Sequence, residues 1–183
     1  ALFNAYPAEN INAMYVPLGS HDTERLHFKL DGNLDMAKLA FLFQFAYPGA
    51  PAIYYGDEVG IDGGKDPDCR RALPWNSTDW QGDLRPWVQQ LVALRKRTPA
   101  LRRGKYIRLL VNKQVYAFAR TLGEEKVLVA VNASEAEQTV RIPVADLWAN
   151  GRAVHSLLSH QKFNVFDGHI ELSLSAWGGI WLG

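Results

Sequence analysis

Val16-Pro17-Leu18-Gly19-Ser20-His21-Asp22-Thr23-Glu24-Arg25 begins apolar and ends in a packed run of polar and ionisable side chains. A short buried strand that leaves a core and delivers chemistry at its carboxyl end has this form. In parallel α/β folds and (β/α)8 barrels that end carries the site. Side chains alternate along an extended segment, so Ser20 and Asp22 are expected on one face and His21 on the other. The adjacent Ser-His-Asp letters are therefore not a catalytic triad, whose members must converge. Two readings remain for these ten residues. Asp22 and His21 line a pocket for a polar ligand, or Asp22 or Thr23 caps a helix over Glu24–Leu30.

Downstream, Asn33 can cap a helix over Leu34–Tyr47, with Leu34, Ala37, Phe41 and Phe45 on one face. From Leu39 onward that helix is apolar almost all round, which predicts burial on more than one side. Pro48-Gly49 stops it. Ala52-Ile53-Tyr54-Tyr55 is a continuous apolar run, the form of a strand buried on both faces. Strand (Val16–Gly19), helix, strand in this order is a βαβ unit. Upstream, residues 1–14 read as a helix or loop broken by Pro7, with Glu9–Met14 helical.

Gly56–Trp80 is a long loop without hydrophobic period, and loops of that length in compact domains are functional or disordered. Trp75, Trp80 and Leu73 are available to anchor it. Pro86 then sits in the first turn of a helix running to about Arg97, whose last turn holds Arg95, Lys96 and Arg97 and which Thr98-Pro99 ends. After Pro99 the period changes from helical to alternating. Strands are predicted at Lys105–Leu110, Val115–Arg120, Lys126–Asn132, Gln138–Pro143, Arg152–Leu157, Phe163–Val165, His169–Leu174 and Gly179–Leu182, separated by turn signals such as Asn150-Gly151 and Asp167-Gly168. The fold class is α/β followed by all-β, with a boundary near residue 100 and a sandwich or barrel after it.

Twenty Lys and Arg face nineteen Asp and Glu, so no net field draws the chain to nucleic acid or an anionic membrane. No apolar run approaches a membrane span. Cys69 is the single cysteine, which rules out an intrachain disulfide and favours a reducing, cytoplasmic compartment, with secretion the alternative. The first residue is Ala1, which suggests a fragment or a processed piece. No phosphate loop, His-Glu-x-x-His, Cys-x-x-Cys or Gly-x-Ser-x-Gly occurs. His27, His155, His160 and His169 are scattered without ligand spacing, and Cys69 lacks an adjacent histidine.

The dense feature is Asp57-Glu58-Val59-Gly60-Ile61-Asp62-Gly63-Gly64-Lys65-Asp66-Pro67-Asp68-Cys69-Arg70-Arg71. It reads as a solvated loop whose acids pair with Arg70 and Arg71, as a Ca²⁺ loop, or as a polyol site in which Asp and Arg hold hydroxyls by charge-assisted hydrogen bonds. The spacing does not support Ca²⁺ in the EF-hand manner, so no cofactor is expected. Composition does not choose among the three. Tyr55 or Trp75 could face a sugar ring, or serve as core.

Read together, Leu18–Arg25, Gly49-Ala50-Pro51-Ala52-Ile53-Tyr54-Tyr55-Gly56-Asp57-Glu58-Val59-Gly60 and Asp66-Pro67-Asp68-Cys69-Arg70-Arg71 through Pro74-Trp75 resemble the α-amylase superfamily of retaining glycoside hydrolases. The loop wording is most similar to the cyclomaltodextrinase, neopullulanase and maltogenic amylase group. The resemblance implies that residues 1–100 are the end of a (β/α)8 barrel, with strands seven and eight, and that residues 101–183 are the C-terminal antiparallel β-sandwich domain. It implies that Asp22 stabilises the oxocarbenium-like sugar, that His21 binds hydroxyls at the cleavage point, and that Asp66 and Arg70 grip a glucose further along. Glu58 receives no role. It also implies that the nucleophile and acid/base lie on earlier strands, so these 183 residues alone are expected to be silent and to need the remainder of the barrel. The expected partner is an α-glucan oligosaccharide: maltooligosaccharide, cyclodextrin, pullulan or starch, cut at α-1,4 and, as a further option, α-1,6 bonds. The alternative is a non-catalytic α-glucan-binding or amylase-like interaction module. An isolated piece that leaves apolar strand and helix faces uncovered is expected either to self-associate through residues 1–60 or to keep only its β-domain well ordered.

Overall fold

The computed structural model describes residues 5–183; residues 1–4, the start of the segment expected to be helix or loop, lie outside the described residues. The chain divides into two compact units, Ala1–Ala93 and Leu94–Gly183.

In the first unit, helix α1 (Ala8–Ala13) leads into strand β1 (Tyr15–Pro17), followed by helices α2 (Leu26–Lys29) and α3 (Leu34–Ala46) and strand β2 (Ala50–Ala52). β1 and β2 pair in parallel, with Tyr15 opposite Ala50 and Pro17 opposite Ala52. This is the expected strand–helix–strand unit, but both strands are shorter and lie earlier than the hydrophobic runs predict. Pro17 and Pro51 carry no N–H, which limits the ladder that these two segments can form. Tyr54 and Tyr55 leave the sheet altogether. β2 is half-buried rather than buried on both faces, because it has a single strand neighbour among the described residues.

α3 begins where Asn33 accepts a hydrogen bond from the Met36 N–H (3.0 Å), as the sequence predicts. Asp35 in its first turn suits the helix dipole. Ala37, Leu39, Phe41, Leu42, Phe45 and Ala46 are buried, so the helix is covered on several sides. Among them lies a buried amide, Gln44, whose Nε2 donates to Val16 O (2.8 Å) and to Ala52 O (2.9 Å). One side chain thus ties the crossover helix to both parallel strands. Helix α4 (Leu84–Arg97) is fastened to α3 by Trp87, whose indole N–H donates to Lys38 O (3.0 Å), and by the Lys38–Asp83 ion pair (2.6 Å).

The helix predicted over Glu24–Leu30 is only the single turn α2, and neither Asp22 nor Thr23 caps it. Thr23 Oγ1 instead accepts from the Ser20 N–H (3.0 Å), and Ser20 Oγ accepts from the Asp22 N–H (3.2 Å). These local side-chain bonds compete with helix formation and hold residues 20–23 in a turn.

In the second unit, helix α5 (Pro99–Arg103) precedes eight strands: β3 (Lys105–Val111), β4 (Val115–Leu122), β5 (Glu125–Asn132), β6 (Gln138–Pro143), β7 (Ala153–His155), β8 (Lys162–Asn164), β9 (His169–Leu174) and β10 (Gly179–Leu182). Every predicted strand forms, with ends shifted by a few residues. β10-β5-β4-β3 make an antiparallel sheet, and β6-β9 and β7-β8 make antiparallel ribbons. Val140, Ile142, Ile170, Leu172 and Leu174 alternate inward from β6 and β9 and meet Val115, Ala117, Ala119, Leu128 and Ala130 in one core. β4 and β5 are buried more continuously, because α5 packs on them as well.

Gln44→Met keeps the side-chain length and removes the donor. It is expected to destabilise the first unit by roughly 1–3 kcal/mol, seen as a lower urea midpoint and faster amide exchange in residues 15–17 and 50–52.

Candidate functional site

The site is built at the carboxyl ends of β1 and β2. After Pro17 the chain enters the Ser20–Thr23 turn, which presents His21 and Asp22 at its tip. Their side chains are 65% and 69% exposed, and His21 Nε2 lies 3.2 Å from Asp22 Oδ2. The alternation expected of an extended segment therefore does not hold here. A turn, unlike a strand, brings neighbouring side chains to the same side.

The loop after β2 supplies the other half. Arg70 Nε lies 2.8 Å from Asp66 Oδ1 and donates to the His21 carbonyl at 3.1 Å, while Arg70 Nη2 lies 3.6 Å from Asp22 Oδ1. The buried Cys69 thiol donates to the same carbonyl (3.2 Å). All four residues singled out in the sequence, His21, Asp22, Asp66 and Arg70, thus form one half-exposed cluster with Arg70 at its centre.

The remaining acids of the loop serve it internally. Asp68 accepts from the Gly64 N–H (2.7 Å) and holds Arg71 through two bonds (2.7 and 2.9 Å). The hydrogen bond from Arg71 lowers the Asp68 pKa, and the same bond raises that of Arg71. Asp62 lies 3.9 Å from Arg71. Glu58 accepts from the Gly56 N–H (2.7 Å). The reading of loop acids paired with Arg70 and Arg71 therefore holds for Asp66, Asp62 and Asp68. Among the described residues there is no group of three or more His, Cys, Asp and Glu fit to hold a metal ion.

Of the two candidate ring faces, Trp75 is 86% exposed. Tyr55 is committed: its hydroxyl donates to Arg71 O (2.9 Å), and its ring carries a guanidinium 4.5 Å from its centroid.

That guanidinium belongs to Arg25, which sequence reasoning passed over. Arg25 and Asp57 form an ion pair (3.3 Å) whose side chains are 0% and 2% exposed. Arg25 Nη1 also donates to Tyr55 O, and the guanidinium lies 4.1 Å from the Tyr54 ring centroid. Asp57 Oδ2 presses on the chain at Gly19, where a Cβ would come within 2.7 Å of it. The available signal was an arginine directly before Leu26, where a helix start meets the core, and an aspartate two residues after an apolar run. Burial raises the Asp57 pKa to about 6, and the opposing attraction and hydrogen bond of Arg25 do not cancel it.

Residues 2–104 match the family profile described as the α-amylase catalytic domain, and residues 106–180 match the neopullulanase-like C-terminal domain. The chain belongs to the α-amylase family of glycosidases. It is 36% identical over 181 residues to a cyclomaltodextrinase of Geobacillus thermopakistaniensis, covering 98% of this chain and 30% of that protein. It is 35% identical over 177 residues to neopullulanase 2 of Thermoactinomyces vulgaris, covering 96% and 30%. The native debranching enzyme of Nostoc punctiforme superposes with a TM-score of 0.88 at 35% identity, over 100% of this chain and 38% of that one. The chain thus spans about a third of the length of the relatives it matches.

An Asp57 carboxyl with a pKa near 6 in the fold and near 3.8 when unfolded binds more protons folded than unfolded between those values. Its contribution to stability is complete below about pH 4 and is lost as pH rises through about 6. Between pH 4 and 7 this chain is expected to lose on the order of 2–3 kcal/mol relative to Asp57→Asn, measured by urea unfolding of both proteins across that range.

Proposed function

We propose that these residues are the C-terminal part of a retaining glycosidase that cleaves α-1,4 glucosidic bonds, with α-1,6 bonds as a further substrate, in maltooligosaccharides, cyclodextrins, pullulan or starch. Residues 1–100 form the end of the catalytic barrel and residues 101–183 its β-domain. The observation that carries this reading is Arg70, which touches Asp66, Asp22 and the His21 carbonyl at once. The cluster offers carboxylate acceptors and guanidinium and imidazole donors side by side, half open to water. That is the chemistry by which polyols are held, since each hydroxyl both donates and accepts. A carboxylate at the tip of the turn also suits positive charge developing on a sugar ring, so Asp22 stabilises the transition state. His21 binds ring hydroxyls beside it, and Asp66 with Arg70 holds a neighbouring glucose. The relatives named cyclomaltodextrinase and neopullulanase support this substrate class.

Retaining hydrolysis needs a nucleophilic carboxylate and a separate acid across the bond. Asp22 and Asp66 are both engaged by Arg70, and they are assigned to transition-state stabilisation and binding rather than to these two roles. The 183 residues alone are therefore silent, and the full-length protein supplies the other two groups. Taken alone, the polypeptide also self-associates through the open edges of β1 and β2 and the exposed Tyr15.

In the full-length protein, Asp22→Asn is expected to lower kcat on maltooligosaccharides by about a hundred- to a thousandfold, while Asp66→Asn acts mainly on KM. Unchanged kcat in the first variant would remove the assigned role, and binding of glucan by the intact full-length protein without any turnover would favour a binding module instead. Light scattering of the isolated 183 residues is expected to give a mass above 20.5 kDa; a monodisperse monomer would refute the association.

A further inference from the structure

Arg25 is fully buried, so it cannot touch a sugar, yet it is tied at several points to the start of the loop that delivers Arg70. Its guanidinium reaches Tyr55 O, Asp57 Oδ1 and the faces of Tyr54 and Tyr55. Its own N–H donates to Gly63 O at 2.9 Å. Around Gly63 the chain is tightly packed: a Cβ there would meet Asp68 O at 2.7 Å, and Arg25 Cγ and Cys69 Cα at 3.2 Å each. Gly63 thus sits close to both the stem of Arg25 and the turn carrying Cys69 and Arg70. Its partner Asp57 packs against Gly19, three residues before Asp22. The pair touches both chain segments that meet in the cluster.

We propose that Arg25 is a positioning residue: from beneath the cluster it fixes the loop after β2 so that Arg70 reaches Asp22 and the His21 carbonyl. This rests on the reading of that cluster as the sugar-holding site. A buried ion pair adds little net stability over well-packed apolar side chains, so its contribution is geometric. The planar fork of arginine can meet a carbonyl, a carboxylate and two rings together, which an ammonium cannot.

The test separates packing from positioning in the full-length protein. Arg25→Met/Asp57→Leu removes both charges and refills the space; Arg25→Lys keeps the charge and loses the fork. Both variants are expected to unfold cooperatively like the wild type. Their kcat on maltooligosaccharides should fall at least tenfold, because small displacements of a site act on the reacting geometry, and KM should rise as well, because Arg70 leaves the glucose held beside Asp66. Crystal structures of both variants should show Arg70 withdrawn from the His21 carbonyl and Asp22. This structural readout decides the matter even if the wild type proves not to cut α-glucans, an outcome that would end the functional reading only. Should the double variant fail to fold, Arg25→Lys carries the test. Arg70 unmoved in the folded variant, or kcat at the wild-type value, would overturn the assignment.

Discussion

A guanidinium removed completely from water has to be matched by charge, acceptors and π-faces, or the fold does not form. Arg25 meets this demand only through Nη1, which reaches Asp57 and the Tyr55 carbonyl, and through two tyrosine rings; its Nε and Nη2 are buried without a hydrogen-bond partner among the described residues. Because all of these partners come from the chain after β2, satisfying one buried ion fixes the path of a loop that has no regular secondary structure beyond short 3₁₀ turns. The first unit has only two short parallel strands among its described residues. Its organisation around the site depends on side chains that span segments: Arg25 between the turn and the loop, and Gln44 between the helix and both strands.

The cluster above this foundation inherits its geometry. Arg70 does not choose between Asp22 and Asp66; it is held where it reaches both, and the His21 carbonyl also takes the Cys69 thiol. The neighbouring Arg71 is drawn the other way by Asp68 and Asp62. Two adjacent arginines thus separate Asp68 and Asp62, which brace the loop, from Asp66, which stays half-exposed beside Asp22.

Much of this was legible in the residues. The 3.6-residue period of Leu34–Ala46 and its Asn33 cap, the alternation of Gln138–Pro143 and His169–Leu174, and the turn dipeptides located the elements because burial and capping are local signals. Strand ends were misread where apolar letters continued past the ladder: Tyr54 and Tyr55 look like strand but serve as a bed for Arg25. The turn at Ser20–Thr23 was hidden for a related reason, since hydroxyl-to-backbone bonds override the extended geometry that the preceding residues suggest. Asp22, His21, Asp66 and Arg70 were found through motif resemblance rather than period. Arg25 and Asp57 escaped because a buried charge pair has no sequence spacing of its own: its members are 32 residues apart and are joined only by the fold.

The close approach at Gly19 sets a limit that operates from inside the protein. Even one methyl group there would intrude on the Asp57 carboxylate. The smallest amino acid is therefore demanded by what lies under the backbone, not by anything that meets the exposed side of the turn. The identity of this residue therefore reports on internal crowding and carries no information about what the exposed cluster binds.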